Sequence, residues 1–240
     1  MKILIVNDDS IHAPGIAMLA EAARSFGEVW VVAPQRECSA MSQKLTLRDT
    51  MALEKAETFP VEVREAWALD GTPVDCVKVA LSHLLSEKPD YVLSGINNGY
   101  NVGYDIAYSG TLGAAFEASR GGIPAAAFSV TSNAHLEGAR PYLREVLQEL
   151  LQTPPSPGKV WNVNFPALGK RPLAGILRNR PAADVSLYRE NYLETRLPDG
   201  RVELSCQGIP TPNEEIPAGS DAEAVRQGYI SVGQVGFLCP

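Results

Sequence analysis

The chain has 240 residues, 45% hydrophobic and 20% charged, enough for one large α/β domain or a core with a smaller appendage and too apolar for disorder. A formal net charge of −7 leaves no basic field for a nucleic-acid polymer, whereas a small anionic substrate stays possible if a bound cation reverses the local sign. No apolar run approaches the roughly 18 residues of a membrane span, and the start lacks the long apolar stretch and cleavage site of a signal peptide, so the expected location is cytoplasmic.

The first expected element is a buried parallel strand, Lys2 to Val6, a short continuous apolar run ending in Asn7-Asp8-Asp9-Ser10. Pro14-Gly15 opens a helix with Ile16, Leu19, Ala20 and Ala23 along one face, closed by Gly27. Glu28 to Ala33 is a second strand, which makes a right-handed strand–helix–strand unit. Lys44 to Leu53 and Val61 to Leu69 read as less regular strands. Thr72, Pro73 and Asp75 then form a capping-box start for a helix reaching about Leu85.

Asp90 to Ser94 is the next strand, followed by a Gly- and Asn-rich loop from Gly95 to Tyr108. Ser109-Gly110-Thr111 starts a helix to Arg120. Pro124 to Val130 is a strand, Leu136 to Leu151 a helix, and Lys159 to Asn164 a strand after the Pro154–Gly158 break. Beyond it the pattern turns strand-rich. Glu190 to Arg196 and Arg201 to Cys206 flank Pro198-Asp199-Gly200 as a hairpin, Ser220-Asp221 caps a short helix, and Tyr229 to Val235 is a last strand. The expected division is a Rossmann-like catalytic core over 1–166 and a C-terminal oligomerisation region over 167–240, free to complete the core.

In an open parallel sheet the ligand site lies outside the carboxyl ends of the strands. Four polar segments collect there: Asn7 to Ser10, Arg36 to Ser39, Gly95 to Asn98 and Ser109 to Thr111. Two adjacent carboxylates, Asp8 and Asp9, repel each other unless a cation or a basic side chain neutralises them. Taken alone, the pair reads equally well as a cap or loop acid beside a solvated neighbour. Asn97 and Ser39 offer further oxygen donors of the kind that suit Mg²⁺ or Mn²⁺. Ser109, Gly110 and Thr111 offer N–H groups and hydroxyls at a helix start, where a phosphate binds, though Ser109 is equally an ordinary N-cap. Cys38, Cys76, Cys206 and Cys239 show no metal spacing and are expected as free thiols. Cys38 is disfavoured as a nucleophile because His12, His83 and His135 all lie away from it in sequence.

Asn7-Asp8-Asp9-Ser10 with Pro14-Gly15-Ile16 resembles the opening motif of the SurE survival-protein nucleotidases. Further stretches agree in order: Gly71 to Cys76, Ser94 to Asn97 with Gly99 and Asn101, Tyr108 to Thr111, and Asn162-Val163-Asn164 with Pro166. The resemblance implies a 5′/3′-nucleotidase that hydrolyses nucleoside monophosphates and, in some members, short polyphosphate. It implies one divalent ion per subunit on Asp8, Asp9, Ser39 and Asn97. Asp8 and Asp9 are the expected catalytic residues, and Asn97, Asn101, Ser109, Gly110 and Thr111 the expected substrate- or phosphate-binding ones. It further implies a three-layer Rossmann-like core with a mainly parallel sheet, and a hairpin exchanged between subunits of a homodimer or homotetramer. Gly233-Gln234-Val235 departs from the family's usual Thr-Pro-Leu, and Cys38 and Met41 make the second loop atypical.

The expected chemistry is direct hydrolysis: the ion polarises the phosphate and acidifies the attacking water, and Asp9 orients or deprotonates that water. The rivals are a covalent aspartyl-phosphate phosphatase, which would want its acids separated by one residue, a receiver module, which needs about half this length, and a pure nucleotide-binding protein.

Overall fold

A computed structural model of the protein describes residues 1–167 and 172–236. In chain order the elements are β1 (Lys2–Val6), α1 (Pro14–Ala23), β2 (Glu28–Pro34), β3 (Leu53–Lys55), β4 (Glu65–Leu69) and α2 (Pro73–Val79), which continues as a wider turn over Ala80–Leu84. Then come β5 (Tyr91–Asn98), a 3₁₀ segment over Gly103–Tyr108, α3 (Gly110–Arg120), β6 (Ala125–Val130), α4 (Leu136–Gln152) and β7 (Lys159–Phe165). The chain ends in β8 (Gly175–Arg178), β9 (Tyr188–Arg196), β10 (Val202–Pro210), α5 (Asp221–Arg226) and β11 (Tyr229–Gly236).

Among the described residues, nine strands form one sheet in the order β3-β4-β2-β1-β5-β6-β7-β11-β8, and β9 and β10 form a separate two-stranded sheet. The main sheet is parallel except where β3 meets β4 and β11 meets β7. Alternation along β1 explains the layering. Ile3 and Ile5 join a core with Leu19 of α1 and with Leu143, Leu147 and Leu150 of α4. Leu4 and Val6 face the other way, into a core with Val77 of α2 and with Leu112 and Phe116 of α3. Each such fully buried side chain contributes about 1.5–3 kcal/mol. The result is an α/β three-layer, mainly parallel core with a separate antiparallel ribbon.

The capping box forms as read: Thr72 N–H donates to Asp75 Oδ2 at 2.9 Å, and Asp75 N–H donates back to Thr72 Oγ1 at 3.2 Å. The same two side chains undo the strand expected at Lys44 to Leu53. Thr46 N–H donates to Asp75 Oδ1 at 3.0 Å, and the Lys44 carbonyl accepts from Thr72 Oγ1 at 2.6 Å. With those backbone groups satisfied by side chains, only Leu53–Lys55 adds to the sheet, as edge strand β3. The expected loop at Gly95 also begins later, because β5 runs on to Asn98 with a shift of register after Ser94. Beyond residue 166, β8 and β11 extend the main sheet next to β7, while β9 and β10 leave it. Cys38, Cys76 and Cys206 are free thiols; Cys239 lies outside the described residues. Among the described residues no helix is long and apolar enough to cross a membrane.

The strand order positions the site. From β1 the chain first builds outward through β2 and β4, then returns to lay β5 on the other side of β1. The crevice at that reversal opens between the carboxyl ends of β1 and β5.

Candidate active site

The end of β1 is shaped by a tight turn. Asn7, fully buried, donates from Nδ2 to the Ser10 carbonyl at 2.7 Å, and Ser10 takes a φ of 96°, a conformation costly for a residue with a side chain. Asn7 Oδ1 is buried with no hydrogen-bond partner among the described residues. This turn carries Asp8 and Asp9.

Asp8 is the meeting point of three segments. Its backbone carbonyl accepts from Cys38 N–H at 2.7 Å, which brings in the loop after β2. Its Oδ1 accepts from Thr111 Oγ1 at 2.6 Å, at the start of α3. Gly110 makes that approach possible, since a Cβ there would stand 3.0 Å from Asp8 Oδ2 and 3.1 Å from Asp8 Cβ. Asp9 supplies the fourth segment: its Oδ2 accepts from Asn98 N–H at 2.8 Å and ties the turn to the end of β5.

The remaining predicted residues are placed as follows. Ser39 is exposed and donates its hydroxyl to Glu37 Oε1 at 2.6 Å. Asn97 donates from Nδ2 to the Gly99 carbonyl at 2.9 Å, a bond that leaves the oxygen end of the amide as acceptor. Ser109 caps α3 by accepting from Leu112 N–H at 3.1 Å, so the helix begins with the N–H groups of Gly110 and Thr111. Ser42 clamps the approach to this helix, donating its N–H to the Tyr108 carbonyl at 2.9 Å and its hydroxyl to the Ala107 carbonyl at 2.8 Å. Asn101 is set deeper: it is buried and donates from Nδ2 to Ser129 Oγ at 2.8 Å.

Burial pushes the Asp8 carboxyl up to about 6; the Thr111 hydroxyl opposes this, and the charge of Asp9 adds to it. Asp9 is also raised, first by burial and further by Glu37, against the Asn98 N–H. Among the described residues neither Asp8 nor Asp9 has an ion-pair partner. A carboxylate pair with no ion-pair partner, Asp8 buried and Asp9 half-buried, offers the hard oxygen donors that a divalent cation takes. Among the described residues no group of three or more His, Cys, Asp and Glu side chains is placed to hold a metal. A cation here would therefore draw on Ser and Asn oxygens beside the two carboxylates. The Cys38 thiol is pushed up by burial and by Asp8, the opposite of what a thiolate nucleophile requires.

Sequence reasoning passed over Glu37, whose only signal was its position two residues before Ser39. It also gave no role to Asn162 and Asn164, although amides at alternate positions of a strand otherwise reading Val, Trp, Val, Phe are a visible anomaly.

The comparisons with known proteins agree with one another. A family model described as "Survival protein SurE" matches residues 3–185. A Flavobacterium johnsoniae protein named 5′-nucleotidase SurE is 39% identical over 238 residues, covering 98% of this chain and 90% of its own length. A Klebsiella pneumoniae protein named 5′/3′-nucleotidase SurE is 39% identical over 236 residues, covering 97% and 88%. The crystal structure of a SurE protein from Aquifex aeolicus superposes with a TM-score of 0.83 at 33% identity, covering all of this chain and 95% of that one. Fold, motif order and near-complete coverage coincide, and the chain belongs to the SurE survival-protein family.

Proposed function

We propose that the protein is a divalent-metal-dependent nucleotidase. It hydrolyses the phosphate monoester of nucleoside 5′-monophosphates to nucleoside and phosphate, with 3′-monophosphates and short polyphosphate as further substrates. The observation that carries this reading is the carboxylate pair of buried Asp8 and half-buried Asp9, with Asp8 bonded through Thr111 to the start of α3. A site for a cation and a site for a phosphate thus share one contact.

Asp8, Asp9, Ser39 and Asn97 would hold one Mg²⁺ or Mn²⁺ per subunit, which when bound supplies Lewis acidity toward the phosphate and a more acidic water. The chain's own groups do the rest. The Gly110 N–H group stabilises an equatorial phosphate oxygen at the positive end of α3, beside Thr111, whose hydroxyl and N–H are both turned to Asp8. Asp9, less buried than Asp8, orients the water and takes its proton; Asp8, held by Thr111, stays a ligand. The hydroxyl of Ser39 donates to Glu37, which keeps its lone pairs free for a cation.

The ribbon of β9 and β10 supports an exchanged-hairpin homodimer or homotetramer. Tyr188, Tyr192, Val202 and Leu204 lie on one of its faces by register and are all exposed. Glu190, Glu194 and Arg196 share that face, so it is mixed, but a two-stranded ribbon with four large apolar side chains exposed is marginal alone in water.

The test is phosphate release from AMP, GMP and their 3′ isomers with Mn²⁺, Mg²⁺ or EDTA. Turnover with metal and none with EDTA is expected. Tight nucleotide binding without phosphate release would make the protein a binder instead.

A further inference from the structure

Asn101 stands four residues beyond Asn97, and its N–H, carbonyl and side-chain amide nitrogen are bonded inside the protein. Its N–H donates to Asn164 Oδ1 at 2.9 Å, and its carbonyl accepts from Asn162 Nδ2 at 2.8 Å and from Asn164 Nδ2 at 3.1 Å. Its own Nδ2 donates to Ser129 Oγ at 2.8 Å, and Asn164 Nδ2 also reaches Asn162 Oδ1 at 3.2 Å. All four residues are buried, at 6% exposure or less. They lie beside the site by register: Asn97 on β5 pairs with Ser129 on β6, and Ser129 pairs with Asn164 on β7.

The other end of the segment is fixed by Asp9, through Asn98 N–H, and by the Val130 carbonyl, through Gly99 N–H at 2.9 Å. The position of the Gly99 carbonyl therefore depends on both anchors. That carbonyl receives the Asn97 amide.

We propose that Asn162 and Asn164 are positioning residues for the cation site. By gripping Asn101 on both its N–H and its carbonyl, they fix the return of the Asn97–Asn101 segment and so aim Asn97 Oδ1. Two amides in the middle of the sheet are expensive to bury unless fully bonded. Here their bonds go to a loop that has no ladder of its own. Asn101 is then a strut between β7 and the ligand loop, which explains why its side chain is turned onto Ser129.

The inference rests on the cation site proposed above, so the readout is Mn²⁺ affinity by calorimetry, followed with kcat and KM for AMP. Asn164→Ala, folded by circular dichroism, is expected to raise the Mn²⁺ dissociation constant about 10-fold or more, as removal of groups that orient metal ligands does. Its kcat should fall more than its KM rises. A folded Asn164→Ala with wild-type Mn²⁺ affinity overturns the proposal. Should that variant not fold, Ser129→Ala removes only the acceptor of the Asn101 side chain and decides instead. It is expected to weaken Mn²⁺ binding several-fold; unchanged affinity overturns the proposal. Failure of the cation site itself has a different signature, absence of Mn²⁺ binding in the wild type.

Discussion

The crevice at β1 and β5 and the ribbon of β9 and β10 satisfy their chain in opposite ways. At the crevice, hydrogen bonds link residues 61 to 103 positions apart and draw separate segments together around one carboxylate pair. In the ribbon every residue but Asn191 is exposed, and the backbones of the two strands pair with each other at nine positions. Its base is nonetheless anchored: Leu187 N–H donates to Asp105 Oδ2 at 3.2 Å, and Thr211 N–H donates to the Leu187 carbonyl at 2.9 Å. The crevice is tied together by distant segments yet leaves the charges of Asp8 and Asp9 without an ion-pair partner among the described residues, whereas the ribbon leaves apolar side chains exposed. The first deficit suits a small cation, the second a protein surface.

The sharpest way to break that comparison is at the crevice. Asp8→Asn keeps an oxygen to accept from Thr111 and removes only the charge. Turnover of AMP with Mn²⁺ should fall on the order of 10³-fold or more, the scale of losing a group aimed at transition-state charge, with the circular dichroism spectrum unchanged. Near-normal turnover in this variant would remove Asp8 from the chemistry.

The ribbon should respond the other way. Tyr192→Ser combined with Leu204→Ser strips apolar area from one face, worth roughly 1.5–3 kcal/mol per side chain if a partner covers it. Light scattering should then report a shift from oligomer toward monomer, with the unfolding of the core little altered. A wild-type protein that is monomeric at micromolar concentration would remove the exchanged-hairpin reading.

The two regions also differ in how they could be read from residues. The β1–α1–β2 unit and the capping box at Thr72 were legible because their signals are local: a continuous apolar run, a helical stripe, a cap. The hairpin was legible from Pro198-Asp199-Gly200, and its strands run longer at the base than the turn alone implied. The strand expected at Lys44 to Leu53 failed because Thr72 and Asp75, far away in sequence, take its backbone groups. The four-residue β8 carries no period long enough to detect. At the site, Asp8 and Asp9 stood out as an adjacent acid pair after a strand, whereas the placement of Asn101 depends on Asn162 and Asn164, which only the sheet brings to it. Long-range polar bonds leave no local pattern.

The smallest expected effect separates the regions by charge alone. In metal-free protein the Asp8 carboxyl titrates near about 6 when folded, against 3.8 as its ordinary value. Below pH 3.8 both folded and unfolded chains hold the proton, and Asp8 costs nothing. Between 3.8 and about 6 the unfolded chain releases it while the folded chain keeps it, so stability falls as pH rises through that window and levels off above it. The loss is on the order of 2–3 kcal/mol. Asp9 shifts in the same direction and deepens it. Asp8→Asn cannot lose a proton, so denaturant unfolding should find it close to wild type at pH 4 and more stable at pH 7. Added Mn²⁺ should narrow the gap at pH 7 by binding only the folded wild type. A stability difference that stays constant from pH 4 to pH 7 would mean that Asp8 is not carrying an uncompensated buried charge, and the argument for a cation at this crevice would lose its electrostatic basis.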